Sequence, residues 1–137
     1  MKESYLYAQF KQGVQDQGTH ICRIESTTGS GISDINMCRN GVEVWVELKV
    51  FKSHWLHFRN SQKSWIVQRS NAGGRVLIVA RDEDDVLLYV GRDVVLSPSK
   101  SVTDGSFAIH RSNLPTPLFS IHKPIRWKLL GDAIFLV

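Results

Sequence analysis

Apolar positions recur along the chain with two different periods, which predicts a mixture of helices and strands. Leu6, Phe10 and Val14 are spaced by four residues and predict an amphipathic first helix. Ala72-Gly73-Gly74 would end a second helix. The predicted elements are a helix over 3–16, a strand over 19–25, a loop over 26–31, a helix over 61–72, a buried strand over 75–80, a charged turn over 82–85 and a strand over 86–91.

The segment 34–50 carries the clearest local pattern. Asn40-Gly41 separates two alternating runs, and Asn-Gly is the preferred pair for a type I′ turn, in which both central residues have positive φ. A two-residue turn there pairs residues whose numbers sum to 81, such as Ile35 with Val46. One face of the hairpin is then apolar and comprises Ile35, Met37, Val44, Val46, Leu48 and Val50.

The opposite face of this hairpin carries the candidate chemistry. In the same register Asp34 lies across from Glu47, and Lys49 follows Glu47 on the same face. Opposed residues have Cβ atoms roughly 4.5–5.5 Å apart, where two carboxylates repel each other. A divalent cation would relieve the repulsion, and Mg²⁺ accepts one or two carboxylates together with water and phosphate oxygens. The Lys49 ammonium could orient a water or stabilise phosphate charge. The alternative is an ordinary solvated strand face.

The remaining segments are expected to be less regular. The segment 51–60 is predicted to be an irregular connection, and 97–120, which is rich in Ser, Pro and Thr, is predicted to be a loop. The last apolar runs, 125–130 and 133–137, are expected to form a hairpin around Gly131-Asp132.

Together these elements predict an α/β fold. Strand, helix and strand across 42–80 form a crossover unit, which joins parallel strands with a right-handed turn. We predict a single domain over 1–137, with a core over 1–96 and an extension of loop and hairpin over 97–137. Its centre would be a mixed sheet of four or five strands flanked by helices.

Composition narrows the functional classes. The 137 residues are 42% hydrophobic and 22% charged, as in ordinary globular proteins. No apolar run reaches the roughly 18 residues of a membrane helix, and the first residues are too polar for a signal peptide. We therefore expect a cytoplasmic protein in which Cys22 and Cys38 stay reduced. A protein encoded by a phage and acting in a host cytoplasm also fits this expectation.

A basic stretch points to a polyanionic partner. The net charge is +4, and no Asp or Glu occurs from Leu48 to Arg81, where basic residues alternate with aromatic ones. The alternative is a solvated face whose aromatics turn to the core. The candidate contacts to a nucleic-acid backbone are Lys52, Arg59, Lys63 and Arg69. A zinc site is disfavoured, because the possible ligands do not have the spacing of a standard zinc site. These residues are His20, Cys22, Cys38, His54 and His57.

The order of four segments resembles the PD-(D/E)XK nuclease superfamily. These segments are GISD, VELKV, RNSQKSW and AGGRVLIVA, within residues 1–81. The sequence is most similar to the VRR-NUC and Holliday-junction-resolvase-like branch. Gly31-Ile32-Ser33-Asp34 lies where the family has Gly-x-Pro-Asp, with Ser33 in place of proline, and Glu47-Leu48-Lys49 matches (Asp/Glu)-x-Lys. The resemblance implies a restriction-endonuclease-like core.

The resemblance also implies roles for individual residues. Asp34, Glu47 and the Leu48 carbonyl would ligate Mg²⁺, for which Mn²⁺ is expected to substitute. Lys49 would position the attacking water, and Gln62 would support Lys49 or contact the phosphate. An additional acid would come from Glu3, which we favour, or from Glu25. Ser61, in the same helix motif as Gln62, would join the residues that bind nucleic acid.

The predicted function is that of a Mg²⁺-dependent endonuclease that hydrolyses phosphodiester bonds in DNA. By analogy with the family, its substrate would be branched DNA of the Holliday junction type, in recombination or repair, and a homodimer would cut the two sites of a junction. The main alternative is a non-catalytic module that binds nucleic acid with the same fold. A small structural or inhibitory protein with a coincidental motif is a third interpretation.

Overall fold

A computed structural model of the chain describes residues 1–25 and 29–136, so part of the predicted loop over 26–31 and the last residue of the predicted final hairpin lie outside the described residues. A short 3₁₀ turn covers Arg111–Asn113. The helices and strands in chain order are α1 (Glu3–Val14), β1 (Thr19–Arg23), β2 (Ile35–Arg39), β3 (Val42–Val50), β4 (Trp55–Arg59), α2 (Asn60–Asn71), β5 (Val76–Arg81), β6 (Asp85–Val90), α3 (Gly91–Val95), β7 (Lys100–Thr103), β8 (Ser106–His110), β9 (Phe119–His122) and α4 (Trp127–Leu136).

The β2–β3 hairpin has the predicted turn and register. Asn40 and Gly41 have φ values of 51° and 78°, as a type I′ turn requires. Ile35 pairs with Val46, and Arg39 pairs with Val42. The prediction that opposed residue numbers sum to 81 is therefore confirmed.

The hairpin forms part of a six-stranded mixed sheet with the order β1-β2-β3-β5-β6-β9. Strands β3 and β5 are parallel, and the other neighbours are antiparallel. The predicted central mixed sheet and the parallel pair are confirmed, although the sheet has one strand more than the upper number predicted. The connection from β3 to β5 contains β4 as well as α2.

The two faces of this sheet pack against different elements. The apolar face of the hairpin packs against α1 and α4 around Leu6, Phe10 and Leu130. The other face, which carries Ile78 and Tyr89, packs against α2, α3 and a second sheet. Because β3 lies in the middle of the sheet, its residues from Val46 onward are buried on both faces. This position makes β3 a rigid support for Glu47 and Lys49.

The prediction of irregular structure over 51–60 and 97–120 is wrong. Within 51–60, residues 55–59 form β4, which pairs with β8. Strand β8 also pairs with β7, which gives a three-stranded sheet in the order β4-β8-β7. Within 97–120 lie β7, β8 and the start of β9. Leu56 and Phe58 alternate with exposed residues and are buried against β8 residues. The partners are about 50 residues apart in the chain, so no local turn signal announces them.

The predicted hairpin around Gly131-Asp132 is also wrong, because these residues lie within α4. Leu130 and Ile134 are spaced by four residues and are both buried, as on one face of a helix. Gly131 contacts α1, where an added Cβ would be 3.3 Å from Cβ of Val14. The residues 97–137 are therefore not an extension of loop and hairpin, since β9 completes the central sheet and α4 packs against α1.

Within the described ranges, none of the helices is long and apolar enough to cross a membrane.

Candidate active site

Asp34 and Glu47 lie side by side at the base of the β2–β3 hairpin. The backbone N–H of Asp34 donates a hydrogen bond to Oε2 of Glu47 at 3.2 Å. In return, Oδ2 of Asp34 accepts a hydrogen bond from the backbone N–H of Leu48 at 2.9 Å. Each carboxylate is thus held by the backbone of the opposite segment, and the predicted juxtaposition of the two acids is present in the structure.

Gln62 connects Glu47 to Lys49. From the first turn of α2, its Nε2 donates to Oε1 of Glu47 at 2.7 Å, and its Oε1 accepts from Nζ of Lys49 at 3.2 Å. The same Oε1 accepts from the backbone N–H of Arg59 at 2.9 Å, which ties the start of α2 to the site. Nζ of Lys49 lies 3.9 Å from Oε1 of Glu47 and 4.7 Å from the ring centre of Phe58. The amide therefore sets the relative positions of a carboxylate and an ammonium.

The loop before Asp34 is pressed against the start of α2. Gly31 has a φ of 77°, and a Cβ built on it would lie 2.0 Å from the carbonyl oxygen of Ser61. Only glycine permits both this backbone conformation and this approach. Ser33 is fully buried, and its Oγ has no hydrogen-bond partner within the described ranges. The contact at Gly31 fixes the distance between Asp34 and the helix that carries Gln62.

Burial makes ionisation of the acids unfavourable. Glu47 is 1% exposed, and burial, reinforced by the Asp34 carboxylate, raises its pKa from 4.5 to about 8, against the opposing effect of Lys49. Burial likewise raises the pKa of Asp34, although the Leu48 N–H and the Lys49 and Arg23 charges oppose the shift. A cation placed between these carboxylates would favour their charged forms. The electrostatics of the site therefore suit a positively charged ligand.

The third acid of the prediction has two candidates, and Glu3 interacts electrostatically with the acids of the site. Burial raises the pKa of Glu3, and both Lys49 and Asp34 contribute to its electrostatic environment. Glu25 is exposed and follows Ile24, whose N–H bonds the carbonyl oxygen of Asp34 at 2.8 Å. Across residues 1–25 and 29–136, no group of three His, Cys, Asp or Glu side chains is arranged to hold a metal ion. The site therefore offers two carboxylates directly, with Glu3 nearby.

Some of the predicted nucleic-acid-binding residues lie near the acids in the structure, and others do not. The charge of Arg59 acts on Asp34 and that of Lys52 acts on Glu3, so these two lie around the acids. Nζ of Lys63 instead lies 5.5 Å from the ring centre of Phe107. Ser61 is half-buried beneath Gly31.

Arg69 lies further away. It is seven residues beyond Gln62 in α2, which corresponds to roughly 10 Å along a helix. Its guanidinium lies over the rings of Trp45 and Trp65, 5.1 and 5.6 Å from their centres. Arg69 is therefore not brought to the acids.

Arg23 is a residue of this site that the sequence patterns did not single out. It ends β1 and pairs with Ile35, the neighbour of Asp34, so that its charge opposes the rise that burial causes in the pKa of Asp34. Its guanidinium carbon lies 4.5 Å from the centre of the Tyr7 ring. The register between β1 and β2 places Arg23 here.

The chain is similar to known proteins in its fold rather than in its sequence. No family model matches the chain, and no curated protein sequence matches it. Among solved structures, one similar to this chain is that of Hjc, a Holliday junction resolvase from the archaeal hyperthermophile Archaeoglobus fulgidus. The two structures align with a TM-score of 0.59. The alignment covers 86% of this chain and 91% of the Hjc chain, and the sequence identity is 14%. The chain has the fold of a Holliday junction resolvase.

This likeness confirms the predicted α/β fold class with its restriction-endonuclease-like core. At such low identity it concerns the resolvase fold alone. The roles of the site residues therefore depend on the geometry described above.

Proposed function

We propose that this chain is a Mg²⁺-dependent endonuclease that hydrolyses phosphodiester bonds in DNA. One observation carries the proposal: Glu47 and Lys49, on the rigid central strand β3, and Asp34, just before β2, are held in a single hydrogen-bonded network. A structural role explains this network poorly, because burying two neighbouring carboxylates is costly unless a cation compensates them.

The residues present suit Mg²⁺. The ion prefers oxygen ligands and is commonly bound in proteins by one or two carboxylates together with water and phosphate oxygens. Asp34 and Glu47 are the two carboxylates, the Leu48 carbonyl is the proposed third ligand, and Glu3 would act from the rim of the site. When bound, the ion would supply a polarised water and neutralise charge that develops on the phosphate.

The remaining chemistry belongs to side chains of the chain itself. The Lys49 ammonium would hold the attacking water or stabilise the phosphate oxygens, since it carries a positive charge next to the acids. Gln62 would keep Lys49 and Glu47 in position through its two hydrogen bonds. Lys52 and Arg59 would attract the DNA backbone to this side of the molecule.

The proposed substrate is branched DNA, such as a four-way junction. The support is the sequence resemblance together with a fold similar to that of Hjc, which is itself a Holliday junction resolvase. Two cuts are needed to resolve a junction, so we propose that the chain acts as a homodimer in the cytoplasm in recombination or repair.

A panel of labelled four-way junctions, flaps, duplexes and single strands tests this function. Each substrate is incubated with Mg²⁺, Mn²⁺ or EDTA. We expect cleavage only with metal, and a loss of about 10²-fold or more in Lys49→Ala and Lys49→Met, the latter keeping the apolar stem over Phe58. Lys128→Ala, an exposed residue of α4, is the matched control and should cut normally. If the wild-type protein and the Lys49 variants all bind DNA but none cuts, the chain is a binding module instead.

A further inference from the structure

The three-stranded sheet presents a face to solvent that the core does not use. Burial alternates along β4, where Leu56 and Phe58 point inward and the intervening residues remain accessible. Strand pairing places the accessible residues of the three strands on a common side. We define the outer face as Trp55, His57, Arg59, Lys100 and His110.

The outer face is electropositive. None of its three strands contains Asp or Glu, and the nearest acid in sequence, Asp104, lies in the turn between β7 and β8. The pKa of His57 is lowered by partial burial and then by the charges of Lys52, Lys49 and Lys100. Lysine charges therefore act on His57 both from the active site, at Lys49, and from the far strand, at Lys100.

The outer face is also continuous with the active site. Arg59 ends β4, its N–H binds Gln62, and its charge acts on Asp34. From Arg59 the accessible residues follow one another along β4 to Trp55, a span of roughly 13 Å at 3.3 Å per residue. One strand of DNA rises about 3.4 Å per nucleotide, so this length matches roughly four nucleotides.

Lys100 is positioned rather than free to move. Its Nζ lies 4.4 Å from the ring centre of Trp55, and the ring of His110 meets the same indole edge-on at 4.9 Å. Beside them runs a groove of about 300 Å³, lined in part by His57 and Ala108. Because Lys100 is held over the indole, less conformational entropy is lost when its ammonium meets a phosphate.

We infer that the outer face binds the sugar-phosphate backbone of the DNA arm next to the cleaved bond, with Arg59 and Lys100 as the charged contacts to phosphates and the His57 ring lying between them. This inference rests on the proposed function for the position of the cleaved bond. It adds a surface, built from strands β4, β7 and β8, that extends the substrate contacts beyond the acids. Binding there is independent of base sequence, since side chains reach the backbone rather than the base edges.

The test is the salt dependence of DNA binding in EDTA, where no cleavage occurs. Affinity for a labelled four-way junction is measured between 50 and 200 mM KCl, for wild type and Lys100→Ala. Loss of one phosphate contact reduces the magnitude of the negative slope of log K against log[salt] by about 0.9 and weakens binding about 8-fold at 0.1 M salt. Lys100→Arg should restore both values. Lys128→Ala removes an equally exposed charge from α4 and should change neither value.

The outcomes separate this inference from the proposed function. If Lys100→Ala and Lys128→Ala bind the junction with the same affinity and salt slope while the wild-type protein cuts DNA, the outer face is not a DNA surface. The nuclease assignment then stands. If Lys100→Ala loses slope and affinity but no metal supports cleavage, the outer face is supported and the nuclease assignment fails. A loss seen only with an RNA version of the junction would overturn the assignment to DNA.

Discussion

The buried Glu47 carboxyl should make the stability of the metal-free protein fall as the pH rises. Its pKa in the folded chain is about 8, against 4.5 when unperturbed. Between these values the folded state keeps a proton that the unfolded state has released, so the free energy of unfolding decreases with pH. The contribution is fully present below pH 4.5 and is lost by the time the pH passes 8.

The size of the effect follows from the shift. Each pH unit inside this window lowers the free energy of unfolding by about 1.4 kcal/mol. The decrease between pH 5 and 8 therefore has an upper limit of about 4 kcal/mol. For a chain of this length, 1 kcal/mol corresponds to about 3–5 °C in Tm. Glu47→Gln removes the titration but leaves an amide nitrogen facing a donor, at a cost of about 1–3 kcal/mol. We therefore expect the variant to be less stable than wild type at pH 5 and to approach or exceed it by pH 8.

Thermal unfolding in EDTA from pH 5 to 9 measures this difference. Glu43→Gln is the matched control, because Glu43 is exposed on the same strand and should leave the pH profile unchanged. Comparing variants at each pH cancels the titration of the histidines. Parallel profiles for wild type and Glu47→Gln would refute the argument. Under the proposed function, Mg²⁺ should raise the wild-type Tm more at pH 8 than at pH 6, because binding requires the ionised carboxylate.

Two glycine substitutions test the packing that supports the site. Gly31→Ala places a methyl group against the backbone of α2 and should reduce cleavage of labelled DNA about 10²-fold or more. The control is Gly29→Ala, where the glycine has a similar positive φ but an added Cβ would have no atom within 4 Å. This variant should retain activity in the same assay. Gly13→Ala should destabilise the chain by about 1–3 kcal/mol in urea unfolding, because its Cβ would lie 2.2 Å from Cβ of Trp127. Gly18→Ala, whose nearest contact is 3.7 Å, should be close to neutral, and equal stability of the two variants would contradict the assigned packing.

The pair of acids was predictable from the sequence because it depends on local chain geometry. Asn40-Gly41 selects one turn type, that turn selects one register, and side chains alternate with a period of two along each strand. Asp34 and Glu47 therefore meet across the hairpin whatever else the chain does. Helix α2 and the buried strand β5 were predictable for a similar reason, since the Ala72-Gly73-Gly74 segment that ends the helix and the continuous apolar run of the strand are both local features.

The second sheet and the last helix were decided only by tertiary contacts. Strand β4 finds its partner β8 about 50 residues later, and such a pairing leaves no signal in a short window of sequence. Gly131-Asp132 resembles a turn by residue type, but burial of Leu130 and Ile134 against α1 stabilises a helix through it. The same limit applies to Arg23, which reaches Asp34 from β1. Local residue patterns determine how neighbouring segments turn and pair, whereas burial against distant segments decides which surfaces surround the resulting site.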